Sequence, residues 1–185
     1  MGLDMYLNKR HFIGNKFRKS KDLVKVIVPK NQEDVTFPVG EIKNSRITEI
    51  TEEVAYWRKA NAIHGWFVEN VQDGKDDCGD YEVSREKLGE LLAICEKVLK
   101  GSKLVDASIR NGQMGTKDGV KDIIEKGKTI ENPEMAMRFL PTTSGFFYGG
   151  HDYDQYYLED VKNTIEILTN VLKEKKGDFY YGSSW

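Results

Sequence analysis

The sequence is short of the residues that mark exported or membrane-anchored proteins. It has only two cysteines, Cys78 and Cys95, in 185 residues, too few for the set of disulfides that stabilises small secreted domains. No apolar run approaches the roughly 20 residues that span a bilayer, and residues 1–7 are too few and too polar for the core of a signal peptide. These absences favour a cytoplasmic protein that is not bound to a membrane.

The chain also lacks an excess of either charge. It has 28 Lys and Arg residues against 30 Asp and Glu residues, a net charge of −2, which gives no general attraction to nucleic acid and disfavours it as a partner. The charges are unevenly distributed, with a local +6 over residues 1–30 and a local −4 over both 70–90 and 151–166. We interpret these stretches as solvated loops; the alternative is a basic face that receives a phosphate or an acidic partner.

Strong catalytic and metal-binding motifs are absent. Gly127-Lys128-Thr129 resembles the end of a phosphate-binding loop, but that motif requires a glycine where Asp122 stands. The acidic run at 73–82 lacks the ligand spacing of a calcium loop, because Lys75 and Cys78 occupy key positions. The histidines and cysteines are scattered singly, without the spacing of zinc ligands. The sequence therefore predicts no metal and no cofactor.

The 20 aromatic residues are distributed unevenly along the chain. None lies between Glu82 and Arg138, whereas 11 lie from Phe139 to the end. Aromatic side chains dominate both protein cores and ligand pockets. The uneven distribution therefore predicts that these rings form either one aromatic core or one binding pocket.

Alternating apolar residues predict strands in the first third of the chain. Leu3, Met5 and Leu7 alternate from the first residues onward, which indicates a strand with Asp4 and Tyr6 on its other face. Segments 23–28 and 33–37 are typical of two strands of a hairpin, because each stops at a proline. The segment 46–57 favours extended structure, with a helix beginning near Glu52 as the alternative.

Apolar residues at helical spacing predict three main helices. The first covers about residues 60–71. The second begins at the N-cap Ser84 and ends at Gly101 as a left-handed C′ residue. The third and longest begins at the cap Asp154, and its apolar stripe continues until Gly177. Asn132 and Pro133 indicate a short additional helix that runs toward residue 139.

The remaining segments complete an α+β fold. Residues 101–131 are rich in Gly and Lys and contain a weak helical patch at 120–124, so we interpret them as an insertion or lid. Residues 144–148 and 179–181 are further strand candidates. Without a repeating βαβ order, the pattern predicts one α+β domain over residues 1–185, with a mixed or mainly antiparallel sheet of about five or six strands and three main helices.

Two clusters remain as candidate ligand-binding sites. The first combines aromatic faces with a guanidinium and an amide, which suits ring stacking and the binding of a phosphate or carboxylate. The second precedes a helix N-terminus, where free backbone N–H groups receive anions. The first consists of Tyr56, Trp57, Arg58, Asn61, His64 and Trp66, and the second of Ser144, Tyr148, His151 and Tyr153. Ordinary core packing is the alternative for both, and for His64 we favour a packed, hydrogen-bonded histidine over a catalytic base.

Four stretches resemble a family of small proteins encoded by tailed phages and prophages. They are GLDMYL at 2–7, EVAYWRKANAIHGWFVENVQ at 53–72, DDCGDYEVS at 76–84 and LPTTSGFFYGGHDYDQYYLEDV at 140–161. The resemblance implies a single domain in the cytoplasm of the infected host cell, and it transfers no catalytic residues because the family has none assigned. Residues 101–131 depart from the compact form of the family.

The leading functional hypothesis is a non-enzymatic phage accessory protein that binds a host component. We expect it to counter host antiviral defence, either by sequestering a small nucleotide-like signal or by occluding a host defence protein. One alternative is an enzyme acting on a nucleotide or phosphoester, with His64, Asp4 and residues near His151 in acid–base or metal roles. Another alternative is a dimerising structural module, in which the partner is a second copy of the chain in a homo-oligomer.

Overall fold

A computed structural model describes residues 2–13, 47–117, 119–145, 148–174 and 177–185. The hairpin predicted over 23–37 lies outside these residues. Within them the chain forms six strands and four helices, three of them substantial. The predicted α+β class is confirmed, and both sheets are antiparallel throughout.

The main sheet has four strands in the order β2-β1-β6-β3. They are β1 (Asp4–Phe12), β2 (Glu49–Arg58), β3 (Asp80–Val83) and β6 (Asp178–Ser184). Leu3, Met5 and Leu7 are fully buried, as their alternation predicts, so one face of β1 packs on the core. The extended structure predicted over 46–57 is confirmed by β2, and the alternative of a helix beginning near Glu52 is wrong.

The helices are α1 (Asn61–Val71), α2 (Arg85–Gly101), α3 (Glu134–Phe139) and α4 (Gln155–Val171). The Ser84 hydroxyl accepts from Lys87 N, and the Asp154 carboxylate accepts from the N–H groups of Tyr156 and Tyr157. Both predicted N-caps are therefore confirmed. None of the helices in the described ranges is both long and apolar enough to cross a membrane.

Two predicted helix ends are wrong. Gly101 is the last helical residue rather than a left-handed cap, because the chain continues in extended form through Ser102, with φ −106°, toward the next strand. A Cβ at Gly101 would lie 3.2 Å from the Cγ of Met135, so this glycine gives room to the neighbouring α3. Helix α4, predicted to be the longest, ends at Val171, well before Gly177, and is only as long as α2.

Residues 101–131 form a hairpin of their own. Strand β4 (Leu104–Thr116) pairs with β5 (Gly119–Ile130) in a separate two-stranded sheet. The helical patch predicted at 120–124 is wrong, because these residues belong to β5 and pair across the hairpin or lie beside its bulge. The side chains described over 111–124 are exposed, so they provide no buried face from which a strand pattern could be recognised.

Seven aromatic side chains form one core. The rings of Phe67 and Tyr181 stack with 3.9 Å between centroids, and the buried Trp57 donates from Nε1 to Thr164 Oγ1 at 3.0 Å. The other rings in this buried cluster are Trp66, Tyr148, Tyr157 and Phe179. Of the two interpretations of the aromatic distribution, a core accounts for these rings, whereas Tyr56 and Tyr156 are among the rings that stay exposed.

Candidate functional site

A cleft of about 690 Å³ lies between the hairpin and the helices. Four segments border it: residues 58–63 at the start of α1, 110–113 of β4, the loop residues 142 and 149–152, and the first turns of α4 between 154 and 161. Its volume falls in the range of roughly 300–1,000 Å³ that is usual for small-molecule sites. We refer to this space as the cleft.

The turn from β2 into α1 places two cationic side chains at the cleft. Lys59 has a left-handed backbone, with φ 59°, which is uncommon for a residue with a side chain. Its N–H donates to Leu3 O and its carbonyl accepts from Asn61 N, both at 2.8 Å. A Cβ at Gly2 would lie 3.3 Å from Lys59 Cε and 3.8 Å from Arg58 Nη2. The two side chains therefore converge on Gly2.

A bulge in β4 forms the opposite side of the cleft. The register with β5 shifts between Arg110 and Gln113, and Gly112 has φ 100°. Bulges re-aim side chains and are common beside functional sites. Arg110 lies 3.6 Å from Asp122 and 3.7 Å from Asp152, so its guanidinium is shared between two carboxylates and is not tightly held by either.

Asp160 contributes an ionisable group from α4. Burial, with smaller contributions from Glu159 and Asp154, raises the pKa of its carboxyl to about 7. Within the described ranges no hydrogen bond or ion pair involves this side chain, whereas Asp154 is held by its capping bonds. A carboxyl with a pKa near neutrality in a cleft is suited to exchange protons or to donate a hydrogen bond.

Three of the predicted ligand-binding residues border the cleft: Arg58, Asn61 and His151. The Arg58 side chain is 61% exposed, and its Nε lies 4.0 Å from Asp4. Asn61 is buried and uses its amide internally: Nδ2 donates to Tyr148 O at 3.2 Å and to Gly150 O at 2.7 Å, and Oδ1 accepts from Thr143 N at 3.1 Å. Asn61 therefore shapes the cleft by holding the loop.

The described loop residues 142–145 and 148–150 fold over α1 instead of forming a strand. The described residues of the strand predicted over 144–148 have no strand structure, so that prediction is wrong for them. A Cβ at Gly65 of α1 would lie 2.0 Å from Thr143 Oγ1. The loop therefore packs against the helix at the position where the helix has no side chain. Its hydrogen bonds to Asn61 take the place of the backbone hydrogen bonds that a strand would make with a neighbouring strand.

His64 and Tyr148 belong to a separate polar cluster around Asp76, which we name the Asp76 cluster. His64 is fully buried, with Nε2 at 3.1 Å from Asp76 Oδ2 and Nδ1 at 2.7 Å from the hydroxyl of Tyr181. The Tyr148 hydroxyl donates to Asp76 Oδ2, and Trp185 Nε1 donates to Oδ1 at 3.0 Å. His64 is thus a packed, hydrogen-bonded histidine, as favoured from the sequence.

The Asp76 cluster binds together four separate parts of the chain. Desolvation alone would raise the pKa of Asp76, but the hydrogen bonds from Tyr148, His64 and Trp185 outweigh it and hold this pKa below its ordinary value. Desolvation and the hydrogen bond to Asp76 raise the pKa of Tyr148, so its hydroxyl stays a donor. The arrangement keeps Asp76 ionised and all three donors satisfied, which is typical of a structural polar network.

The other five predicted site residues lie outside the cleft. Tyr56 is exposed on the sheet and donates from its hydroxyl to Asp4. Trp57 and Trp66 are buried in the aromatic core. Tyr153 accepts from Thr142 N at 3.2 Å through its hydroxyl, and Ser144 is exposed. The structure therefore separates the two predicted clusters into core, sheet surface and cleft.

Several cleft residues did not emerge from the sequence as site candidates. Arg110, Asn111, Gln113, Tyr156 and Asp160 reach it from β4 and α4. The pair Asn111-Gly112 is a turn or bulge signal that could have indicated the bend in β4. Asp160 carries no such signal, because its burial depends on neighbours distant in sequence.

The described residues contain no group of three or more His, Cys, Asp or Glu side chains that could hold a metal ion. No family model, curated protein or solved structure matches the chain. The cleft and the resemblance of the four sequence stretches are therefore the two features of the chain that bear on its function.

Proposed function

We propose that the protein is a binding protein whose cleft holds a small, phosphate-bearing, nucleotide-like ligand. The observation that carries this proposal is that three cationic residues, Arg58, Lys59 and Arg110, border the cleft from two sides. Cationic side chains with little internal pairing are the groups that bind phosphate.

The weak internal ion pairing of Arg58 and Lys59 supports a role for both residues in binding a ligand. Arg58 has one carboxylate neighbour, Asp4, at 4.0 Å, and within the described ranges Lys59 has no ion pair. The left-handed backbone of Lys59 supports the proposal further, because strained residues concentrate at functional sites. A phosphate would therefore gain two charge-assisted contacts without having to break a strong ion pair.

The other borders of the cleft suit the rest of a nucleotide. Tyr156 is 39% exposed, which leaves part of a ring available for stacking on a base. Asn111 and Gln113 contribute amide groups from the β4 bulge; these amides also bond to Glu125 and Asp122, respectively. Asp160 has a pKa of about 7, so it donates a hydrogen bond when protonated. Such groups match the donors and acceptors at the edge of a nucleobase.

The biological role follows from the resemblance to phage and prophage proteins. We infer that the protein acts in the cytoplasm of the infected host cell and counters antiviral defence by sequestering a nucleotide-derived signal. Occlusion of a host defence protein is the other form of this role. A non-enzymatic inhibitor needs affinity and abundance but no catalytic residues, which fits a cleft built mainly from charged and amide side chains.

We expect at least one nucleotide to bind the purified chain and raise its Tm. The panel consists of nucleoside mono- and triphosphates, cyclic mononucleotides and cyclic dinucleotides, measured by thermal shift and then by titration calorimetry. Arg58→Ala and Lys59→Asn should each weaken binding about tenfold, equivalent to about 1.4 kcal/mol. Asn is chosen at position 59 because it tolerates the left-handed backbone.

Lys100→Ala is the matched control, since it removes one exposed cation at the end of α2, outside the residues that border the cleft. It should leave the affinity unchanged. If no nucleotide raises the Tm, or if Lys100→Ala weakens binding as much as Arg58→Ala, the cleft is not a phosphate site and the proposal is wrong.

Asp160 and His151 favour a second candidate function, an enzyme acting on a nucleotide or phosphoester. Both residues border the cleft, and a carboxyl with a pKa of about 7 is suited to general acid–base catalysis near neutral pH. For a binding protein, we expect chromatography to recover every bound nucleotide unchanged after prolonged incubation. Product that forms with the wild-type chain and is lost in Asp160→Asn would instead establish the enzyme.

A further inference from the structure

The outer edge of β5 has no strand partner among the described strands along most of its length, since β4 pairs with its other edge. Near the base of the hairpin this outer edge is covered, because Lys128 N donates to Gln155 Oε1 at 3.0 Å and Ile130 N donates to Tyr153 O at 2.9 Å. Within the described part of the chain, no backbone hydrogen bond covers residues 120–126 on that side. Open edges of this kind are templates for pairing with another chain.

Apolar side chains are concentrated on the same segment of the hairpin. Val120 is 67% exposed, Ile124 60% and Ile123 43%, and Met114 on β4 is 56% exposed. Val120 and Ile124 share one face of the ribbon, because side chains alternate along a strand, and Ile123 lies on the other. An exposed apolar cluster on a protruding ribbon is typical of a surface that a partner covers.

The direction of the backbone groups limits how another strand can pair with this edge. N–H groups of alternate residues in an antiparallel strand point to opposite edges. Because the N–H groups of Lys128 and Ile130 point outward, those of residues 126, 124, 122 and 120 point outward as well. A second β5 strand must therefore pair even-numbered residues with even-numbered residues.

Charge and the covered base of the hairpin together select one symmetric register among those that remain. A two-fold axis at Ile123 places Lys121 opposite Glu125 of the second copy, twice, and brings the two Ile123 side chains together. An axis at Asp122 or Glu125 opposes like charges. An axis at Ile124 also opposes unlike charges, Asp122 and Lys126, but it pairs Val120 with Lys128, whose N–H is already used by Gln155.

We propose that β5 forms a homodimer by antiparallel pairing with β5 of a second copy, with the two-fold axis at Ile123. The two Ile123 residues form a non-hydrogen-bonded pair, in which Cα atoms approach to about 4.5 Å and side chains are closest. The two Ile124 side chains are diagonal neighbours on the opposite face, so apolar contacts form on both faces of the four-stranded ribbon. This dimer does not require a ligand in the cleft, although Glu125 also accepts from the hydroxyl of Tyr156, which borders the cleft.

Sedimentation equilibrium of the full chain tests the dimer and its register. We expect the wild-type chain to self-associate and Lys121→Glu to weaken the association about tenfold or more, because two attractive pairs become repulsive. The combination Lys121→Glu with Glu125→Lys should restore it, since the charges are exchanged and remain complementary. Lys117→Glu, in the hairpin turn and outside the paired segment, should have no effect.

The restoring double variant separates a lost interface from a lost fold, because a misfolded hairpin cannot be rescued by a second charge reversal. Circular dichroism of each variant accompanies the sedimentation. A wild-type chain that stays monomeric at its highest soluble concentration overturns the proposal. A dimer that is indifferent to Lys121→Glu overturns it too, because it uses another surface or register.

Discussion

Asp76→Asn should lower the free energy of unfolding by about 3 kcal/mol, a loss typical when hydrogen bonds to a charged group are replaced by unsatisfied donors. Asp76 accepts from His64 Nε2, the Tyr148 hydroxyl and Trp185 Nε1. An asparagine of the same size offers one acceptor oxygen and presents an NH₂ group where the other oxygen accepts. Thermal or urea unfolding measures the effect, and for a chain of this length the Tm should fall by roughly 6–12 °C.

Two variants test whether the loss arises from the Asp76 cluster. Glu69→Gln makes the same chemical change on the exposed face of α1 and should alter stability by less than about 0.5 kcal/mol. Tyr148→Phe removes one donor and leaves two, so it should cost about 1 kcal/mol. Equal effects of Asp76→Asn and Glu69→Gln would show that the cluster contributes no stability.

The pH dependence of Asp76 has a definite sign. Hydrogen bonds hold its folded-state pKa below the ordinary value of 3.8, so the ionised form is favoured by folding. Its contribution is complete above pH 3.8 and is lost as the pH falls through the lower, folded-state pKa. The stability difference between wild type and Asp76→Asn should therefore be constant between pH 7 and pH 5 and shrink in stronger acid.

The elements that could be predicted from the sequence are those fixed by local chemistry. The alternation of Leu3, Met5 and Leu7 gives β1 because one face of that strand is buried. Ser84 and Asp154 begin α2 and α4 because their side chains accept backbone N–H groups within three residues. Neither signal depends on the rest of the chain.

The hairpin and the loop over α1 were not predictable in the same way. Most side chains of the distal hairpin are exposed on both faces, so β4 and β5 have no alternating pattern there. The sequence at 142–150 has the aromatic composition of a strand, but its described residues Thr143, Tyr148 and Gly150 are held by the distant Asn61, and Thr143 packs at Gly65. Contacts between residues far apart in sequence determine both segments.

The candidate site could be predicted only in part, for the same reason. Arg58 and His151 border the cleft as their residue types suggest, while His64 and Tyr148 were separated from it by the Asp76 cluster. Side chains that are close in sequence can point to opposite faces of a strand or helix, so a neighbouring cation and aromatic ring do not have to meet in the fold. Asp160 became a candidate only through the burial that the folded chain imposes on it.

Asn61→Asp should destabilise the protein by about 4 kcal/mol at pH 7, more than Asn61→Ala at about 2–3 kcal/mol. Asn61 donates to the carbonyls of Tyr148 and Gly150 and is only 5% exposed. A carboxylate there faces two carbonyl oxygens without a proton to donate, whereas alanine only leaves them unpaired. Urea unfolding of the two variants beside the wild type gives both values.

The pH dependence separates these two variants, because only one introduces an ionisable group. Burial beside carbonyl oxygens raises the pKa of the new carboxyl above its unfolded value of about 3.9. The extra loss of stability in Asn61→Asp is therefore present at neutral pH and diminishes as the pH falls toward that value, while the loss in Asn61→Ala stays constant.

In Asn61→Ala the amide of Thr143, which donates to Asn61 in the wild type, should also exchange faster with solvent. Unchanged exchange at Thr143, together with equal stability of all three proteins, would mean that Asn61 does not hold the loop and that the wall of the cleft is maintained by packing at Gly65 alone.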